Sequence, residues 1–144
     1  NMLFITVSTG IGAGIIIDGR ILQGQSHFAG EVSFLPLGVP LEEQGTLDES
    51  PDIFTDVVSR TIQSLISILN PRQLILIGLA LNDALVDGIR KSVRGAIPDT
   101  HIPELRFEPD IHSRLVAGLK HLAMDNLSCG FRLVSTKHPS AGGM

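Results

Sequence analysis

Only one cysteine, Cys129, occurs in the 144 residues, so no intrachain disulfide and no cysteine-built zinc site can form. Basic residues are not in excess. Eleven lysines and arginines stand against 15 aspartates and glutamates, a net charge of −4 with no block of one sign. A protein whose chief partner is nucleic acid shows a basic face, so direct nucleic-acid contact by this chain is not expected. Long hydrophobic runs are also missing. The longest, around residues 74–81, falls far short of the roughly 20 residues that span a bilayer. The apolar start has neither the basic segment nor the cleavage site of a secretory leader. A cytoplasmic domain without membrane attachment is the expectation. Hydrophobic residues make up 43% and charged ones 18%, which excludes a chain too polar to fold. The length suits one domain with its own core.

What the sequence has in excess is glycine. There are 15, against the usual ~7% of residues, and seven fall within the first 38 positions. Tight turns, or backbone that comes close to a ligand, are expected at that end.

Residues 2–8 (MLFITVS) read as a strand, 9–12 as a turn, and 13–17 (AGIII) as a second strand. Asp18-Gly19 is a strong hairpin signal, with 20–23 as the return strand. Residues 24–46 have no clear period, and their length marks them as a functional loop, with a helical turn near 29–34. Ser50-Pro51-Asp52 starts a helix, and Ile53, Phe54, Val57, Val58, Ile62, Leu65, Ile66 and Leu69 then recur at helical spacing until Asn70-Pro71. Residues 73–77 read as a strand buried on both faces. A second helix covers 81–93, a short strand 104–108, and a third helix 113–127 with Leu115, Val116, Leu119 and Leu122 inward. The fold class is therefore α/β. About five strands form a mixed sheet, a three-stranded antiparallel meander followed by helix-connected crossovers, with helices packed on it. Residues 1–127 make one domain and 128–144 a loose C-terminal tail.

Gly10-Ile11-Gly12-Ala13-Gly14 is not a dinucleotide fingerprint. Ile15 stands where the third glycine belongs, and β-branched residues follow instead of a helix. It also lacks the lysine of a P-loop. It reads as a glycine hairpin whose backbone N–H groups, with the Ser8 and Thr9 hydroxyls, could form an anion nest; a purely structural turn has the same composition.

Residues 7–38 carry a Thr-Gly-x-Gly-x-Gly hairpin, an Asp-Gly turn, a glycine-rich stretch and Ala-Gly-Glu. Thr9, Gly10, Gly12, Gly14, Asp18, Gly19, Gly24, Ala29, Gly30 and Glu31 stand at the matching positions. This resembles the C-terminal half of the ROK family (repressors, open reading frames and sugar kinases). Asn70-Pro71, Ile77-Gly78 and Ala117-Gly118 extend the resemblance over most of the chain. It implies a ribonuclease H-like, actin-like ATPase domain of the actin, Hsp70 and sugar-kinase superfamily. It also implies that Thr9, Gly10 and Gly12 face the phosphates of ATP, with magnesium, and that Asn70-Pro71 precedes a strand leading to a second nucleotide-side loop. Gly78 would lie near the nucleotide, and Glu31 would accept hydrogen bonds from sugar hydroxyls.

The chain departs from the family pattern in three ways. Where the family has Glu-x-Gly-His, this chain has Glu31-Val32-Ser33-Phe34, and phenylalanine cannot bind a metal. Phe34 is left to stack on a sugar or to fill core. The family's cysteine-rich zinc loop is absent, and the five histidines show no metal spacing, so no metal site is expected. The family's first domain, with its phosphate loop and catalytic aspartate, has no counterpart here. Asn82-Asp83 looks like that pair but sits where a helix cap is needed. A fragment without its N-terminal domain, and without a catalytic residue of its own, is the expectation. The leading reading is the sugar-sensing domain of a ROK transcriptional regulator. Half of an ATP-dependent sugar kinase comes next, then a domain that mainly dimerises. A small sugar, the missing domain and a second copy are the expected partners.

Overall fold

The computed structural model of the chain describes residues 1–8, 10–78 and 81–128. It divides into two units, Asn1–Ile111 and His112–Met144. The first unit holds strands β1 (Met2–Val7), β2 (Ile11–Ile17), β3 (Arg20–Ile21), β4 (Gln73–Gly78) and β5 (Glu104–Glu108), with helices α1 (Pro51–Leu69) and α2 (Asp83–Ala96). Helix α3 (Ile111–Ser128) belongs almost wholly to the second. The tail expected from residue 128 lies, from Cys129 on, outside the described residues. No helix among the described residues is long and apolar enough to cross a membrane.

The five strands form one mixed sheet in the order β3-β2-β1-β4-β5, as the α/β reading requires. β1 to β3 make the antiparallel meander, while β4 and β5 run parallel to β1. Parallel neighbours need a crossover, and α2 supplies it between β4 and β5. Side chains alternate across a strand, so Leu3, Ile5 and Val7 of β1 share one face with Ile11 and Ile15 of β2 and with Leu74 and Leu76 of β4. All seven are buried in a single apolar cluster with Phe54, Val57, Val58, Ile62, Leu65 and Ile66 of α1 and Ile89 and Val93 of α2. Each such side chain removed from water stabilises the fold by roughly 1.5–3 kcal/mol.

Helix α1 begins and ends where its sequence signals stand. Pro51 occupies the first turn, and Asn70 closes the helix in the left-handed region at φ 40°, its N–H donating to the Ile66 carbonyl. α2 starts at Asn82, whose Oδ1 accepts the Leu85 N–H at 3.0 Å, so this asparagine is a helix cap as its position suggested. Three expectations need correcting. Ile75 is only half-buried, so β4 is not sealed on both faces along its length. Residues 41–49 form a 3-10 segment that begins inside the stretch read as having no period and runs past its end at 46. Ile53, expected on the apolar stripe of α1, is 48% exposed. Helical spacing says which residues share a stripe; it does not say that anything covers the stripe.

Candidate functional site

β1, β4 and β5 run parallel, so their carboxyl ends lie on the same edge of the sheet, at Val7, Gly78 and Glu108. In open α/β sheets ligands bind outside that edge. The turn through Ser8 and Gly10, Gly78 and the amino end of α2 all gather there. Asn70-Pro71 does not. It lies at the other end of β4, where it caps α1, so of Asn70-Pro71 and Ile77-Gly78 only the second reaches the candidate site.

The loop after β3 is organised by an open strand edge. β2 has β1 on one side, but β3 pairs with it on the other side only at Ile16 and Ile17. Unpaired N–H and C=O groups on such an edge are costly once water is excluded. The chain supplies partners one after another. The Leu22 N–H donates to the Ile15 carbonyl at 2.8 Å, and the Ala13 N–H donates to the Gly30 carbonyl at 2.7 Å. The last rung is a side chain. Ser33 Oγ accepts the Ile11 N–H at 3.1 Å and donates to the Ile11 carbonyl at 2.6 Å.

Gly30 explains why the Ala-Gly-Glu motif needs its glycine. Its φ is +98°, and a Cβ there would run into the Ala13 carbonyl oxygen. Only a bare α-carbon lets the loop come this close to β2. Glu31 follows directly. Its N–H donates to the Phe28 carbonyl and its own carbonyl accepts from the Phe34 N–H, both at 3.2 Å. The backbone is tied on both sides while the side chain is exposed, and no described residue holds its carboxylate. A carboxylate so placed can accept two hydroxyl donors at once. Phe34 and Phe28 are 60% and 55% exposed, their ring centroids 5.2 Å apart and tilted by 48°. Phe34 therefore does not fill the core.

The glycine hairpin is more committed to the protein than its composition suggests. The Ser8 N–H donates to the Gly10 carbonyl at 3.0 Å, and the Ile11 N–H is held by Ser33. Since residues 11, 13 and 15 direct their backbone groups away from β1, Gly12 directs its own toward β1. An anion nest built from all these amides is thus ruled out. What remains is Gly10 with the hydroxyls of Ser8 and Thr9, the latter outside the described residues. Gly12 has a steric role, since a Cβ there would sit 3.2 Å from Thr6 Oγ1. Gly78 is buried, and a Cβ would stand 3.0 Å from the Val7 carbonyl oxygen and 3.4 Å from Leu81. It lets β4, β1 and the start of the next loop pack together beside the hairpin.

Two residues of this arrangement were not read from the sequence. Ser33 stands in the sequence only as a departure from a glycine, and Gln44 only as part of the stretch that replaces the family's zinc loop. Gln44 is 1% exposed, and its Nε2 donates to the Ser33 carbonyl at 2.8 Å. A buried glutamine within a run of acids is the only signal the sequence held.

The five-stranded mixed sheet thus carries a glycine hairpin and a tethered glutamate at its carboxyl edge. Comparison with known proteins points to the family that the sequence resembles. The ROK family model matches residues 1–51. N-acetylmannosamine kinase of Vibrio cholerae serotype O1 is 51% identical over 39 residues, 27% of this chain and 14% of that protein. The same enzyme from Escherichia coli O6:H1 is 47% identical over 45 residues, 31% of this chain and 16% of that protein. Among solved structures, a ROK hexokinase from Thermus thermophilus superposes with a TM-score of 0.69 at 21% identity, over 90% of this chain and 58% of its own. A ROK family transcriptional regulator superposes with a TM-score of 0.56 at 19% identity, over 74% of this chain and 41% of its own. The resemblance to the ROK family therefore stands, and the fold is the one these ROK proteins share. The chain spans a little over half of the hexokinase, and its sequence match covers about a seventh of the curated kinases.

Proposed function

We propose that the chain is the sugar- and ATP-facing C-terminal half of a ROK-type hexose kinase. The observation that supports it best is the joining of two elements on one sheet edge. Gly30 and Ser33 hold the Glu31 loop against the strand that leaves the glycine hairpin. Glu31 accepts hydrogen bonds from two sugar hydroxyls. Thr9 and Gly10, with Gly12 and Gly78 allowing the close packing behind them, form the wall that the phosphates of magnesium-bound ATP meet. Phosphoryl transfer depends chiefly on holding the two reactants in line. The base that takes the sugar proton has no counterpart among these residues and is assigned to an N-terminal domain.

The intact protein should release ADP from ATP and magnesium in a sugar-dependent way, with N-acetylmannosamine and glucose among the hexoses tried. The 144 residues alone should not. A second reading, the sugar-sensing domain of a transcriptional regulator, is favoured by Phe34 in place of a histidine that touches sugar in the family. Tight sugar binding with no ADP release from the intact protein would select it.

A further inference from the structure

The geometry points to Ser33 as the positioning residue that makes the sugar loop and the phosphate hairpin respond to each other. This rests on the sugar and nucleotide reading above and goes beyond it, since nothing in that reading requires the two elements to communicate. Ser33 lies two residues after Glu31, inside the 3-10 turn Val32–Phe34. Its hydroxyl both accepts from and donates to the backbone of Ile11, the first residue of β2 and the one after Gly10. A single oxygen thus bridges the turn that carries Glu31 and the strand that leaves the hairpin. The other side of the turn is fixed as well, because Gln44 donates to the Ser33 carbonyl. Gln44 is 1% exposed, so the amide that makes this bond is itself buried. The Ser33 Oγ also lies 3.6 Å from where a Gly10 Cβ would stand, so the hairpin and the turn are in contact across it.

A hydroxyl with one donor hydrogen and its acceptor lone pairs, used in both directions on one residue, leaves little room for the two backbones to slide. A shift of the turn on closing around a sugar must move Ile11, and an ordered hairpin must hold the turn. Binding at either place therefore favours binding at the other, by a factor that must be the same in both directions.

The test measures sugar affinity of the full-length protein by calorimetry, with and without a non-hydrolysable ATP analogue and magnesium. N-acetylmannosamine and glucose are the sugars used. Wild-type protein should show a coupling factor of about fivefold or more. Ser33→Ala should bring that factor to about one, whereas Ser33→Thr, which keeps the hydroxyl, should retain it. A Ser33→Ala protein that weakens both ligands but keeps the factor has lost only structure, and overturns the inference. A wild-type factor near one with both ligands bound overturns it too, and leaves the kinase reading standing. If neither ligand binds the wild type, that reading fails and the inference with it. A second measurement needs no variant. Adding sugar alone should slow hydrogen exchange at the Ile11 amide as well as at Phe34. Slowing at Phe34 without any change at Ile11 overturns the coupling.

Discussion

Helix α1 and the loop along β2 sit in the same unit and are specified in opposite ways. α1 is held by many interchangeable apolar contacts: Phe54, Val57, Val58 and Ile62 are each 0–1% exposed in the common core. The loop anchors itself in that core through Val32 and Leu37, but its path along β2 is set differently. Single atoms hold it, namely the carbonyl of Gly30, the hydroxyl of Ser33 and the amide of Gln44. Apolar burial is non-directional and adds up over area, so α1 should tolerate change of shape better than loss of volume. Hydrogen bonds and close approaches are directional, so the loop should tolerate almost nothing at these few fixed points. Stability is concentrated in the first region and the proposed chemistry in the second.

The sharpest test of this contrast is Phe54→Ala, which removes a buried ring from the core. It should destabilise the fold by about 3–5 kcal/mol, read as a lower urea midpoint. Gly30→Ala should come next, at about 1–3 kcal/mol for forcing a side chain into a left-handed backbone that faces the Ala13 carbonyl. Unlike the Phe54 change, it should also remove sugar binding, because it displaces Glu31. An unaltered sugar titration in Gly30→Ala would break the link between the edge and the site.

Glu31→Ala should leave the unfolding midpoint unchanged and weaken sugar binding by about 1.5–3 kcal/mol, or roughly ten- to a hundredfold. The measurement is a calorimetric titration of the full-length protein. Equal affinity in variant and parent would remove the residue on which the resemblance matches best. The smallest effect belongs to the surface of α1. Arg60 pairs with Asp56 one turn earlier, both about half exposed. Arg60→Ala should therefore shift stability by about 0.5 kcal/mol or less, and less still at high salt. A larger loss would mean that the helix depends on its outer face, contrary to the contrast drawn here.

Much of the first region was legible in advance. α1 runs from Pro51 to Leu69 between the signals that mark it, and β5 lies at 104–108 as read. Periodic burial leaves a periodic trace, and caps and prolines act within a turn of where they stand. The loop was legible only as a list of glycines and an acid. Gly30 matched a pattern, but its reason, the Ala13 carbonyl, is 17 residues away in sequence. Ser33 looked like a lost glycine, and Gln44 stood only in the stretch that replaces the family's zinc loop. The 3-10 segment at 41–49 has no amphipathic period to betray it.

The sequence by itself determined the order and kind of the main elements, the α/β class and the stretch that resembles ROK proteins, because these follow from local propensity, alternation and spacing. The tertiary structure decided the rest. It placed Gly78 beside the hairpin and Asn70-Pro71 at the opposite end of the same strand. It also turned a serine into the last rung of an open sheet edge. The physical reason is that an unpaired backbone group takes whichever partner the fold brings within about 3 Å, however far away it lies along the chain.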